Sequence, residues 1–230
     1  MKYRLFLLDL DDTLLDFRAS ERLSFKRMLA SLGVPDTAEA VFADYQGINR
    51  GLWTALEKGE ISKDVLKVER FRRLFALHGI DADPRRASDS YLDWLPQTVV
   101  LIDGARALCD ALAAQGEIGI ITNGIEQVQS RRIAVSGLAD RISFIATSEA
   151  CGHAKPDERF FAFSTAMARR FVKSQTVIIG DRLEADVLGA NRYGIDSCWF
   201  NPARLPNDGR ATPTLEVHAL RDIPSRFAAC

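Results

Sequence analysis

The chain has 230 residues, 30 Lys and Arg against 31 Asp and Glu, a formal net charge of −1, and 47% hydrophobic residues. That length buries a sizeable core in one or two domains, and that composition excludes a disordered chain. The near-neutral charge gives no global attraction to nucleic acid polymers or anionic membranes, and no apolar run is long enough for a leader or a span, so a cytoplasmic location is expected.

Leu5–Leu8 reads as a fully apolar strand that runs into Asp9, Asp11 and Asp12. Residues 16–97 hold no convincing strand. Phe25, Met28, Leu29 and Leu32 follow the i, i+3, i+4, i+7 spacing of a helix, and Gly33 ends the run. A second helix is expected after Asp36, broken near Gly47 and Gly51 and reaching Gly59. A third starts at Ser62, carries Phe71, Leu74 and Phe75 on one face, and stops at Gly79. Asp83-Pro84 opens a fourth, with proline at the first helical position.

The pattern changes near residue 98. Apolar strands at 118–121, 142–146, 177–179 and 197–200 alternate with helical segments at about 104–115, 124–136, 157–171 and 183–193. Uninterrupted apolar strands suit a parallel sheet covered on both faces, and the alternation suits a doubly wound α/β fold. The expected organisation is therefore a Rossmann-like α/β core of residues 1–15 and 98–230, with an inserted all-helical unit, 16–97, as a candidate lid.

Ligands of open α/β sheets bind beyond the carboxyl ends of the strands. The first strand ends Asp9-Leu10-Asp11-Asp12-Thr13 and the second Thr122-Asn123-Gly124. Lys155-Pro156 follows the third after a loop, and the fourth ends Gly180-Asp181 with Asp186 five residues on. Each set alone fits a solvated turn or a helix start. Four such sets in order at successive strand ends do not.

Asp9-x-Asp11-x-Thr13, Thr122, Lys155 and Gly180-Asp181 with Asp186 resemble the four motifs of the haloacid dehalogenase-like (HAD) hydrolases. The resemblance covers the whole chain, with the insert where that superfamily places a C1-type helical cap. It implies a phosphomonoesterase in which Asp9 is the nucleophile and forms an aspartyl-phosphate. Asp11 would protonate the leaving oxygen and then deprotonate the attacking water. Thr122 and the amides of Asn123 and Gly124 would bind phosphoryl oxygens, Lys155 would screen charge, and Thr13 and Asp186 would support the site. The carboxylates of Asp9 and Asp181, at neighbouring strand ends, need a cation, and hard oxygen ligands favour Mg²⁺. The resemblance adds the Asp11 backbone carbonyl as a further ligand. Asp12 should point away from Asp9 and Asp11, in a structural or solvated role, and Asp16 has the same status.

Dehalogenases share the nucleophile, but typically lack the second acidic residue, because a halide leaves without a proton. Asp11 therefore favours phosphoryl chemistry. Tyr45-Gln46, Asn49, Leu52-Trp53 and Gly59-x-Ile61 resemble the cap of YjjG-type pyrimidine nucleoside 5′-monophosphatases. That implies a small nucleotide substrate, with Tyr45, Gln46, Asn49 and Trp53 as candidate contacts. Packing between cap helices is the competing reading of Trp53. Arg182-Leu183-Glu184-Ala185 is bulkier and more charged than that pattern, which bears on substrate detail. A sugar-phosphate phosphatase, a phosphomutase and a non-catalytic binding protein are the alternatives; a monomer or homodimer is expected. Cys109, Cys151, Cys198 and Cys230 form no CxxC pair and read as ordinary thiols, and His78, His153 and His218 as isolated structural or exposed side chains.

Overall fold

Leu5, Phe6, Leu7 and Leu8 are buried one after another because both faces of their strand are covered. The computed structural model describes residues 2–34 and 39–228. They fall into an α/β unit, Met1–Phe17 with Val99–Cys230, and a helical unit, Arg18–Thr98.

In chain order the elements are β1 (Leu5–Leu8), α1 (Phe17–Ser31), α2 (Glu39–Glu57), α3 (Lys63–His78), α4 (Pro84–Trp94), α5 (Ala105–Ala113), β2 (Glu117–Thr122) and α6 (Glu126–Ser136). Then follow β3 (Phe144–Thr147), α7 (Ser148–Cys151), α8 (Glu158–Ala166), β4 (Thr176–Gly180), α9 (Leu188–Tyr193), β5 (Asp196–Phe200), β6 (Leu215–Val217) and α10 (Ile223–Ala228). All strand pairs are parallel, in the order β3-β2-β1-β4-β5-β6. The chain builds outward from β1 to β3, then returns to β4 on the other side of β1. The strand order reverses between β1 and β4, which is where open α/β sheets bind ligands.

Alternation places Phe6 and Leu8 in the core beneath α5 and α10, and Leu5 and Leu7 in the core beneath α8 and α9. Val177 and Ile179 of β4 share the first face and Ile178 the second. The register pairs Leu8 with both Ile120 and Ile179, so the residues beyond β1, β2 and β4 emerge side by side.

The helical unit packs around rings. Tyr45 lies 4.8 Å from Phe25, 5.6 Å from Phe71 and 5.8 Å from Tyr91, centroid to centroid. Ser62 caps α3 by accepting from the Val65 N–H, Gly79 ends it in the left-handed region at φ 62°, and Asp83 caps α4.

The structure differs from the sequence reading in several elements. Gly47 and Gly51 do not break α2: both sit on its solvent side, while Val41, Phe42, Tyr45, Asn49 and Leu52 bury the other, so packing overrides propensity. The start expected after Asp36 lies outside the described residues. The segment 157–171 is helical only to Ala166, where the Ser164 and Thr165 hydroxyls bond to the carbonyls of Phe160 and Phe161. The segment 183–193 opens as a π-turn, Leu183–Val187, before α9. Two short elements, β6 and α10, had no periodic signal.

Candidate active site

The β1–α1 connection turns back on itself. Leu14 and Leu15 N–H groups both donate to Leu10 O, and Asp12 takes a left-handed φ of 57°. Asp12 Oδ1 then accepts the Phe17 N–H at 3.0 Å, which tethers the start of α1. Asp9 points into the site. Its N–H donates to Ile179 O of β4 at 2.9 Å, so the ladder itself brings Asp9 beside Asp181.

Lys155 is buried, and its three ammonium protons are all used. Nζ donates to Asp9 Oδ1 at 2.5 Å, to Asp186 Oδ1 at 2.7 Å and to Ile121 O at 2.9 Å. Asn123 holds the Lys155 backbone from both sides, with Oδ1 accepting its N–H at 2.9 Å and Nδ2 donating to its carbonyl at 3.1 Å. Asp186 is held in turn, since Oδ2 accepts the Arg182 N–H at 3.1 Å. Gly180 makes room for it: a Cβ there would stand 2.3 Å from Asp186 Cγ.

Across Asp9 from Lys155, the Thr13 hydroxyl lies 3.2 Å from Asp9 Oδ2 and 3.3 Å from Asp181 Oδ1. One oxygen each of Asp9, Asp181 and Asp186 lie within 4.8 Å of one another. Three carboxylates share one buried ammonium, which bonds directly to Asp9 and Asp186. Burial, then Asp9, Asp186 and Asp12, pushes the Asp181 carboxyl up to about 8. Burial does the same to Asp9, whose carboxyl rises to about 7 although Lys155 pulls it down. Burial also works against the Lys155 charge, but Asp186 and Asp9 outweigh it and hold the ammonium well above the ordinary lysine value. The excess negative charge and the all-oxygen donors fit a hard divalent cation.

Thr122 Oγ1 accepts twice, from the Gly124 N–H at 3.0 Å and from Gln129 Nε2 at 3.1 Å. Both lone pairs are engaged, so its own O–H is oriented to donate outward. The Gly124 amide expected to bind a phosphoryl oxygen here donates to Thr122. Asp11 is held from α6. Its Oδ2 accepts from Gln129 Nε2 at 2.6 Å and its Oδ1 from Arg132 Nη1. Gln129 and Arg132 were missed in the sequence. Their signal is two polar residues on the buried face of α6, with Val128, Ile133 and Ser136.

The four candidates in the helical unit separate. Tyr45 is 0% exposed among rings, where its side chain packs the helical unit. Gln46 Nε2 and Asn49 Nδ2 each donate at 3.1 Å to the buried Glu21 carboxylate, so these amides serve the helical unit itself. Trp53 is half-buried. Cys109, Cys151 and Cys198 are free thiols. His78 contacts Asp44 and His218 the Asn201 carbonyl. Among the described residues, no helix is long and apolar enough to cross a membrane.

Three acidic side chains around a buried lysine, at the switch point of a parallel sheet, fit a hydrolase of the phosphoryl- or acyl-transfer kind. Residues 6–200 match the haloacid dehalogenase-like hydrolase family, and the chain belongs to it. It is 38% identical over 224 residues to pyrimidine 5′-nucleotidase PynA of Streptococcus pneumoniae, covering 97% of this chain and 94% of that one. It is 30% identical over 223 residues to pyrimidine 5′-nucleotidase YjjG of Escherichia coli, covering 97% of each. The crystal structure of the HAD-hydrolase YfnB of Bacillus subtilis, bound to magnesium, superposes with a TM-score of 0.91 at 35% identity over 99% of each chain.

Proposed function

We propose that this enzyme hydrolyses pyrimidine nucleoside 5′-monophosphates through a phosphoryl group carried on Asp9, with Mg²⁺ as cofactor. The observation that carries the reading is the grip on Asp9: Lys155 takes Oδ1 at 2.5 Å, while Thr13 links Oδ2 to Asp181. A nucleophile so held keeps one orientation and has a partner for its charge.

Asp9 attacks phosphorus, forming an O–P bond as the ester P–O bond breaks, and the departing alkoxide takes a proton from Asp11. Asp11 then takes a proton from water as the water oxygen bonds to phosphorus. The P–O bond to Asp9 breaks, phosphate leaves, and the Asp9 carboxylate is restored. Thr122 donates to a phosphoryl oxygen, and Lys155 balances charge beside the nucleophile. Asp9, Asp181 and the Asp11 carbonyl would hold the metal, with Asp186 acting mainly on Lys155. Mg²⁺ there would supply positive charge that offsets the repulsion between Asp9 and the phosphate dianion.

The names of PynA and YjjG support a pyrimidine nucleotide as substrate. All the contacts above are to phosphate, metal or water, so discrimination between alcohols is assigned to the helical unit, acting as a cap, with Trp53 its aromatic candidate. The test is phosphate release, with and without Mg²⁺, over nucleoside monophosphates and sugar phosphates. Uridine, cytidine and thymidine monophosphates should lead. Equal rates on purine nucleotides, or a sugar phosphate well ahead, would overturn the substrate assignment.

A further inference from the structure

Arg132 is the largest of the fully buried side chains, yet the reaction above gives it no task. A guanidinium in the interior is expensive unless its donors are met. Here Nη1 donates to Asp11 Oδ1 and, at 2.9 Å, to Gln129 Oε1. Nε and Nη2 have no hydrogen-bond partner among the described residues, and the guanidinium carbon lies 5.5 Å from the Phe17 ring centroid. An apolar side chain would pack this position without stranding two donors, so stability alone does not explain an arginine.

We infer that Arg132 and Gln129 are positioning residues that fix the Asp11 carboxylate for the water step and tie it to the phosphate-holding Thr122. The inference rests on the proposed role of Asp11. The geometry is a closed set of bonds. Arg132 takes one Asp11 oxygen and the Gln129 carbonyl, and Gln129 Nε2 takes the other Asp11 oxygen at 2.6 Å and Thr122 Oγ1 at 3.1 Å. A carboxylate engaged at both oxygens does not rotate, although the Asp11 side chain is 30% exposed and would otherwise turn toward solvent. Arg132 also fixes the flip of Gln129: with Oε1 accepting, only Nε2 remains for Thr122, and Thr122 is left as a donor. Glycine at 124 is part of the same arrangement, because a Cβ there would stand 2.2 Å from Gln129 Nε2.

The two half-reactions separate this role from a structural one. p-Nitrophenolate leaves without a proton, so phosphorylation of Asp9 by p-nitrophenyl phosphate does not need Asp11. Hydrolysis of the acyl phosphate does. The full chain carrying Arg132→Met is mixed rapidly with p-nitrophenyl phosphate and Mg²⁺. The expected trace is a burst of p-nitrophenolate of about one per site, followed by turnover slowed about 10²-fold, the scale of a misplaced reacting group. Arg132→Lys should recover part of the turnover, and Arg132→Met should add no further loss in an Asp11→Asn background. Burst and turnover falling together, or turnover close to wild type, would overturn the inference. If Arg132→Met does not fold, Gln129→Met reads the same two phases without removing a charge. Asp9→Asn run alongside must abolish both phases. If it keeps either, the proposed function fails and the positioning role with it, whereas a silent Asp9→Asn with an unaffected Arg132→Met removes the positioning role alone.

Discussion

Lys155 and Asp186 form an ion pair at 2.7 Å with side chains 3% and 1% exposed, and Asp9 completes it on the other side of the ammonium. Breaking a buried pair from one side typically costs about 3–5 kcal/mol, because a charge is left uncompensated. The two halves are not equivalent. Lys155→Met leaves three carboxylates facing one another, and is expected to lose about that much stability in metal-free buffer. Asp186→Asn leaves the ammonium paired with Asp9 and should lose less. Urea unfolding in the presence of a chelator ranks the two; the reverse order would mean that Asp9 does not share the charge.

Two kinds of glycine give opposite expectations. Gly180→Ala drives a Cβ into Asp186 Cγ at 2.3 Å, so it should cost about 1–3 kcal/mol and lower activity by displacing the partner of Lys155. Gly47→Ala and Gly51→Ala meet nothing within 4 Å, on the solvent side of a continuous helix. Each should raise stability by up to about 1 kcal/mol. Melting temperatures that fall in the second pair would show that α2 needs its glycines.

Asp9→Asn keeps the shape of the nucleophile and removes its charge. Loss of a covalent route is expected to lower kcat/KM by at least about 10³-fold on every substrate. Residual activity within tenfold of wild type would remove Asp9 from the reaction.

Metal removal should couple to pH. The Asp9 and Asp181 carboxyls rise from an ordinary 3.8 to about 7 and about 8, burial being the main cause. The folded state therefore holds these protons more tightly than the unfolded chain, and without metal the two groups destabilise the fold as pH climbs from about 4 to about 8. A divalent cation binds the ionised forms, offsets that penalty and competes with protons. Millimolar Mg²⁺ should thus raise the melting temperature more near pH 8 than near pH 5. Equal increments at both would mean that the cation binds elsewhere.

The sheet and the strand-end residues were legible because they are local signals: apolar runs of strand length, each followed by acids, a hydroxyl or a lysine. Asp9, Lys155, Asp181 and Asp186, spread over three of these strand ends, stand together in the structure. The direction of a side chain was less legible. Asp11 lies two residues from Asp9 and would share its face on a straight strand, but the backbone turns at Leu10, and Asp11 meets α6 instead. Arg132 and Gln129 were hidden for the same reason: a polar residue on a helix's buried face has meaning only once its partner, more than 100 residues away in sequence, is known. In the helical unit, Tyr45 is buried among rings and Asn49 donates to Glu21, partners that the local sequence does not reveal.

The helical unit offers the sharpest contrast between recognition and packing. Tyr45 packs against three rings with centroids within 6 Å, stacked on Phe71 and tilted to Phe25 and Tyr91, and its truncation to alanine should cost about 3–5 kcal/mol, as for other buried aromatics. Its effect on activity should follow the folded fraction and be the same for every substrate. Trp53 is half-buried on the same helix. Stacking of a base on an aromatic ring is worth about 1–3 kcal/mol, which is about 5- to 150-fold in affinity. Trp53→Ala should therefore raise KM for uridine 5′-monophosphate by a factor in that range. Ribose 5-phosphate presents the same sugar and phosphate without a base, so its KM should stay near the wild-type value. Measuring both substrates and the melting temperature for Trp53→Ala and Tyr45→Ala decides the matter. If Trp53→Ala weakens both substrates equally and melts early, Trp53 is a packing residue like Tyr45, and recognition of the base lies elsewhere in the chain.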